Sequence, residues 1–99
     1  MYLVNIAIQT DKLSQKQLDE MLVRHRDWFL GEVEKKNFLL AGPYLDWQAA
    51  GIVIARSMER ETLEDILSHD VFWEGLATYD VHAFKAAKIL PELLEEQGL

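Results

Sequence analysis

Two residues far apart in the chain, His25 and Asp70, are of the types from which a proton-transfer site is built. Imidazole titrates near neutral pH, and a carboxylate on one ring nitrogen fixes its tautomer and stabilises the imidazolium. His25 stands in the middle of an apolar stripe: Leu18, Met21, Leu22, Trp28, Phe29 and Val33 lie three, four, seven or eight residues from it, the spacings of one helical face. The ring should therefore point at the core, where a titratable group needs a partner. Asp70 lies seven residues after Leu63 and continues the Leu63, Ile66, Leu67 face of a second predicted helix. Burying both faces against one sheet would bring carboxylate and imidazole together. Each residue has two readings. His25 is a general base or a hydrogen-bonded core histidine, and Asp70 is its orienter or a cap on the turn Phe72–Gly75.

Around this pair, Trp28, Phe29, Phe72 and Trp73 suit the apolar lining of a small-ligand pocket, and Gly42-Pro43 offers backbone that can approach a ligand. Trp47 falls in a predicted turn, exposed or under a partner subunit. His69 is expected in solvent. His82 falls on a strand opposite Tyr79 and Val81, two residues after Asp80. His25, His69, Asp70 and His82 are of types that bind zinc or iron, but no H-x-x-x-H or H-x-H spacing occurs, so no metal and no cofactor is expected. There is no G-x-S-x-G elbow, P-loop, G-x-G-x-x-G or C-x-x-C to support hydrolase, nucleotide or redox chemistry.

The elements that must position these residues follow from patterning. Residues 2–9 form a strand with Tyr2, Val4, Ile6 and Ile8 on one face. Ser14 with Gln17 is a capping-box signal for a helix to about Lys36, which Asn37 closes in the left-handed position. Glu20 with Arg24 and Glu32 with Lys36 are expected as exposed pairs. Phe38–Ala41 and Gly51–Arg56 make a hairpin, with Gly42-Pro43 setting the exit of the first strand and a turn around Asp46 and Gln48. Ser57 caps a helix over Glu59–His69, Phe72–Gly75 connects irregularly, Leu76–Phe84 is a fourth strand, and Pro91 opens a short helix carrying Leu93 and Leu94.

The order βαββαβ plus a C-terminal helix predicts an α+β domain over residues 1–99, a four-stranded antiparallel sheet on the ferredoxin-like plan. Two helices cover one face of such a sheet, yet Ile52, Val53 and Ile54 are consecutive apolar residues, and Leu3 and Ala7 oppose Val4 and Ile6. The second face then needs cover from another subunit, which predicts a homodimer with sheets packed face to face.

Composition narrows the partners. A net charge of −7, with single scattered basic residues, opposes nucleic-acid binding. No cysteine occurs, which removes thiolate chemistry and suits a reducing compartment. No run approaches the roughly 20 apolar residues of a membrane span, and a strand from residue 2 leaves no signal peptide, so a cytoplasmic location is expected.

The chain resembles the YciI-like proteins in His25 on the first helix, Phe38-Leu39-Leu40-Ala41-Gly42-Pro43, Gly51-Ile52-Val53-Ile54-Ala55, and Asp70-Val71-Phe72 followed by Gly75-Leu76-Ala77 and Tyr79. The resemblance implies a dimeric α/β barrel of ferredoxin-like subunits, with a site formed by His25 and Asp70. Val71 stands where the family's Asp-Pro-Phe motif has proline, and the stretch to Gly75 is one residue short. Relatives of that fold suggest isomerisation or elimination on a small cyclic or aromatic-derived metabolite. The alternative is a non-enzymatic ligand-binding or assembly module with a structural His–Asp pair. A metal-free barrel monooxygenase shares the fold, with no residue here that singles it out.

Overall fold

The computed structural model describes residues 1–73 and 75–99. The chain runs β1 (Tyr2–Ile8), α1 (Gln15–Glu34), β2 (Phe38–Pro43), β3 (Ala50–Ala55), α2 (Arg60–Leu67) and β4 (Ala77–Ala83), with short 3-10 segments at Thr10–Lys12 and Pro91–Glu96. The four strands form one antiparallel sheet in the order β2-β3-β1-β4. Only β2 and β3 are joined as a hairpin. Each helix carries the chain across an intervening strand, α1 from β1 to the β2 edge and α2 from β3 to the β4 edge.

Alternation in β1 does what its residue types require. Val4 and Ile6 are buried on the helix side, and the register sets Val4 opposite Val53 on one neighbour and Val81 on the other. Phe38, Ala55, Leu63, Leu67, Phe72 and Ala77 complete the core between sheet and helices. On the other face the register aligns Leu40, Ile54 and Leu3 across three strands, with Ile52 and Asn5 in the next row. These residues stand outside the core cluster.

α1 begins with both bonds of the capping box: Gln17 N–H donates to Ser14 Oγ at 3.1 Å, and Ser14 N–H donates to Gln17 Oε1 at 2.9 Å. Such a cap contributes about 1 kcal/mol. The apolar stripe is narrower than the spacing suggests, because Leu22 and Val33 are each 39% exposed. Leu22 overhangs a cavity instead of packing into solid core.

The helix also ends earlier than expected. Lys36, not Asn37, takes the left-handed position, with φ of 67°. The physical reason lies in Glu32, which is buried and not the exposed partner of Lys36. Asn37 Nδ2 donates to its Oε1 at 2.9 Å, and Lys35 Nζ stands 3.4 Å from Oε2. Glu20 and Arg24 form no ion pair among the described residues.

Gly42-Pro43 continues β2 instead of ending it, pairing with Ile52 and Gly51. Proline is tolerated there because β2 is an edge strand. A Cβ on Gly51 would meet the Gly42 carbonyl oxygen at 2.9 Å, so glycine is what lets the two backbones approach.

α2 is shorter than predicted and Ser57 does not cap it. The hydroxyl accepts from the Met1 ammonium at 3.0 Å, and Glu59 occupies the cap position without a side-chain bond. After Leu67 the chain tightens: His69 N–H bonds Ile66 O and Asp70 N–H bonds Leu67 O, so Asp70 lies in a turn beyond the helix and not on its last face. Of the predicted Phe72–Gly75 connection, residue 74 lies outside the described residues. Among the described residues no helix is long and apolar enough to cross a membrane.

Candidate functional site

His25 sits midway along α1 with its side chain 16% exposed, and its Nδ1 is 2.7 Å from Oδ1 of Asp70, whose side chain is fully buried at 0%. Oδ2 of the same carboxylate accepts from Tyr79 Oη at 2.7 Å. Tyr79 reaches it from β4, opposite Ile6 in register and so on the helix side of the sheet. Three elements thus converge on one carboxylate.

The chemistry of the trio follows from donors and acceptors. An ionised carboxylate only accepts, so the phenol and the Nδ1–H both donate to Asp70, and the proton on Nδ1 leaves the lone pair of a neutral imidazole on Nε2. Burial, reinforced by the bond to Asp70 and its charge, holds the Tyr79 phenol well above its ordinary pKa of 10.0, so it remains a donor. Among the described residues no buried side-chain nitrogen or oxygen lacks a partner.

Aromatic packing orients the ring. Trp28, Phe29 and Phe72 stand with centroids 5.6, 5.5 and 5.4 Å from the imidazole. Trp28 Nε1 donates to Ile66 O at 3.1 Å, which ties α1 to the end of α2 immediately before the turn that bears Asp70. Val71, in the place of the resembled family's proline, leaves the carboxylate within bonding distance of His25.

A cavity of about 740 Å³ opens on this ring. α1 contributes Leu22, His25, Arg26, Trp28 and Phe29 to its wall; Gly42 and Pro43 line it from β2, and the loop of residues 44–49 closes the far side. Asp70, Tyr79 and Phe72 are not on the wall. The imidazole is therefore the member of the trio that meets the cavity. Phe72, expected to shape the pocket, is instead wholly buried beside the ring. Trp47 is 48% exposed, stacks on Tyr44 with centroids 5.4 Å apart, and lines the cavity from the loop.

Tyr79 is the site residue that spacing did not single out as a functional group. Its signal was its place: a tyrosine on the core-facing side of a strand needs a hydrogen-bond partner for its hydroxyl.

The remaining polar groups lie elsewhere. His69 is exposed. His82 Nε2 is 2.9 Å from Asp80 on the open face of the sheet, and this bond, with one from Asn5, holds Asp80 below the usual carboxylate range. Tyr44 donates to Asn5 Oδ1 on that face. No group of three or more His, Cys, Asp or Glu gathers as a metal-binding set among the described residues.

The arrangement holds an imidazole with one nitrogen fixed and the other offered to an apolar cavity. No family model matches the chain, and no curated protein matches it.

Proposed function

We propose that this chain is a small-molecule enzyme of the YciI-like type that moves a proton on a small cyclic or aromatic-derived metabolite, by isomerisation or elimination. The observation that carries the proposal is the placement of His25. It alone of the hydrogen-bonded trio lines the cavity, while Asp70 and Tyr79 hold it from behind.

Nε2 takes a proton from a substrate carbon, and the resulting imidazolium is stabilised by the Asp70 carboxylate at Nδ1. Tyr79 keeps that carboxylate in place as a positioning residue. The imidazolium then returns the proton to a different carbon, which completes an isomerisation, or the carbanion expels a leaving group, which completes an elimination. Trp28 and Phe29 give the ring a low-dielectric wall, and Gly42-Pro43 brings backbone to the substrate.

The subunit plan we propose is ferredoxin-like, supported by the strand order β2-β3-β1-β4 and the two crossover helices. Two such sheets pack face to face as a dimeric α/β barrel, supported by the apolar row Leu40, Ile54 and Leu3 outside the core. The lack of cysteine suits a cytoplasmic enzyme.

The complete burial of Asp70, with both oxygens bonded, also favours a second reading, a ligand-binding or assembly module in which the trio is structural. His25→Gln separates the two. Solvent deuterium wash-in to cyclic carbon acids, followed by NMR, should be lost in the variant while its circular dichroism matches the parent. A variant that retains wash-in, or one that unfolds about 1–3 kcal/mol more easily while the parent exchanges no substrate proton, favours the structural module.

A further inference from the structure

Residues 85–99 extend from the end of β4 as an arm that makes no backbone bond to the rest of its own chain among the described residues. Its backbone bonds are local, from Leu93 to Leu90, Gln97 to Leu94 and Leu99 to Glu96. Ile89, Leu90, Leu93 and Leu94 are 58, 59, 55 and 81% exposed. They stand one, four and five residues apart, the spacing of a single helical stripe, with Glu92, Glu95 and Glu96 between and after them. An apolar stripe on an amphipathic segment is unfavourable in water unless something covers it. The projection shows in the size of the molecule: its radius of gyration is 13.8 Å, where a compact chain of this length has about 12.6 Å.

The same chain turns a sheet face away from its helices, with Leu3, Leu40 and Ile54 in one row and Asn5, Asp80 and His82 beside them, and the area of that face decides what the arm is for. Four strands about 4.8 Å apart and about 20 Å long give roughly 400 Å² per subunit, so two packed faces bury roughly 800 Å². Stable specific interfaces bury about 1,200–2,000 Å². Sheet pairing alone falls short, and two arms supply area of the missing size. A membrane is the poorer occupant, because three glutamates against Lys85 and Lys88 repel an anionic lipid surface. A two-fold dimer uses each contact twice.

Building on the dimer proposed above, we infer that the arm crosses to a second copy of the chain and seats Leu90, Leu93 and Leu94 on that copy's body beside the paired sheets. Each subunit is then clasped by the other.

The test measures the dimer dissociation constant by dilution and sedimentation for three proteins: the whole chain, a chain shortened to residues 1–84, and the double variant Leu93→Glu/Leu94→Glu. Both altered proteins should dissociate at concentrations about 30-fold or more above the parent while keeping its circular dichroism. If the shortened chain does not fold, the double variant decides. A parent that is monomeric at tens of micromolar overturns the dimer and the arm together. A dimeric parent whose variants keep its affinity overturns the arm and leaves the dimer standing. Arm-dependent binding to phosphatidylserine vesicles, with the dimer affinity unchanged by the variants, also overturns the inference.

Discussion

At the scale of the residue, Tyr79 decides how firmly the site is held. Its hydroxyl gives the buried Asp70 a second donor, and Asp70 in turn fixes Nδ1 of His25. Tyr79→Phe keeps the ring and removes the donor, which leaves Oδ2 unsatisfied in a dry place and should cost about 1–3 kcal/mol in chemical denaturation. The pH dependence has a defined sign. The folded phenol is held above its ordinary value of 10.0 by burial first and by Asp70 second. The unfolded chain therefore gives up this proton first as the solution becomes alkaline. The contribution of Tyr79 is fully present below about pH 10 and declines as the pH rises beyond it, because there the unfolded state binds fewer protons than the native one. Subtracting the ultraviolet titration of Tyr79→Phe from that of the parent should leave no phenolate signal until the fold is lost. A phenolate appearing at about pH 10 in folded protein would show that neither burial nor the bond to Asp70 holds the phenol.

At the scale of the element, the end of α1 carries a local strain that can be relieved. Lys36 adopts φ of 67°, a conformation that costs an L-residue roughly 1–2 kcal/mol and glycine nothing. Its carbonyl still serves Arg56 Nε, a contact that a side-chain change leaves alone. Lys36→Gly should therefore raise stability by about 0.5–1 kcal/mol after the entropy that glycine loses on folding, readable as a higher melting temperature. A lower one would mean that the lysine side chain stabilises the turn. This turn also shows why some elements are legible in sequence and others are not. β1 and the start of α1 are written in neighbouring residues, by alternation and by Ser14 three residues before Gln17, and the structure forms both. The meeting of His25 with Asp70 was legible because each lies on or just beyond a periodic apolar stripe. The fate of Ser57 was not, since its hydroxyl is taken by the N-terminal ammonium from the other end of the chain segment. Nor was the burial of Glu32, which depends on Asn37 turning back to bond it. Tyr79 meets Asp70 only after α2 and the turn have been placed against β4. Such pairings belong to the tertiary structure and leave no local pattern.

At the scale of the whole molecule, the sheet separates two kinds of chemistry. Its helix side holds the core, the cavity and the hydrogen-bonded trio, while its other side presents the row Leu3, Leu40 and Ile54. A residue that points away from the helices can be changed without touching His25, so the proposed dimer can be tested separately from the proposed reaction. Ile54 is the residue to change, because it lies on an inner strand with Leu3 and Leu40 as its cross-strand neighbours. In a monomer, Ile54→Lys can keep its ammonium in water by running its stem along the sheet. In a face-to-face dimer two such ammoniums, related by the two-fold axis, would enter one dry seam whose own carboxylate, Asp80, is already bonded to His82, a loss that no surface rearrangement recovers. The expected outcome is a folded chain that sediments as a monomer where the parent sediments as a dimer, with its stability at low concentration within about 1 kcal/mol of the parent's monomeric form. Ligand binding at His25 should persist if the cavity is complete within one subunit, as its wall of α1, sheet and hairpin loop implies. An Ile54→Lys chain that dimerises as tightly as the parent would place the interface elsewhere, and the bare row of apolar residues would then need a different cover.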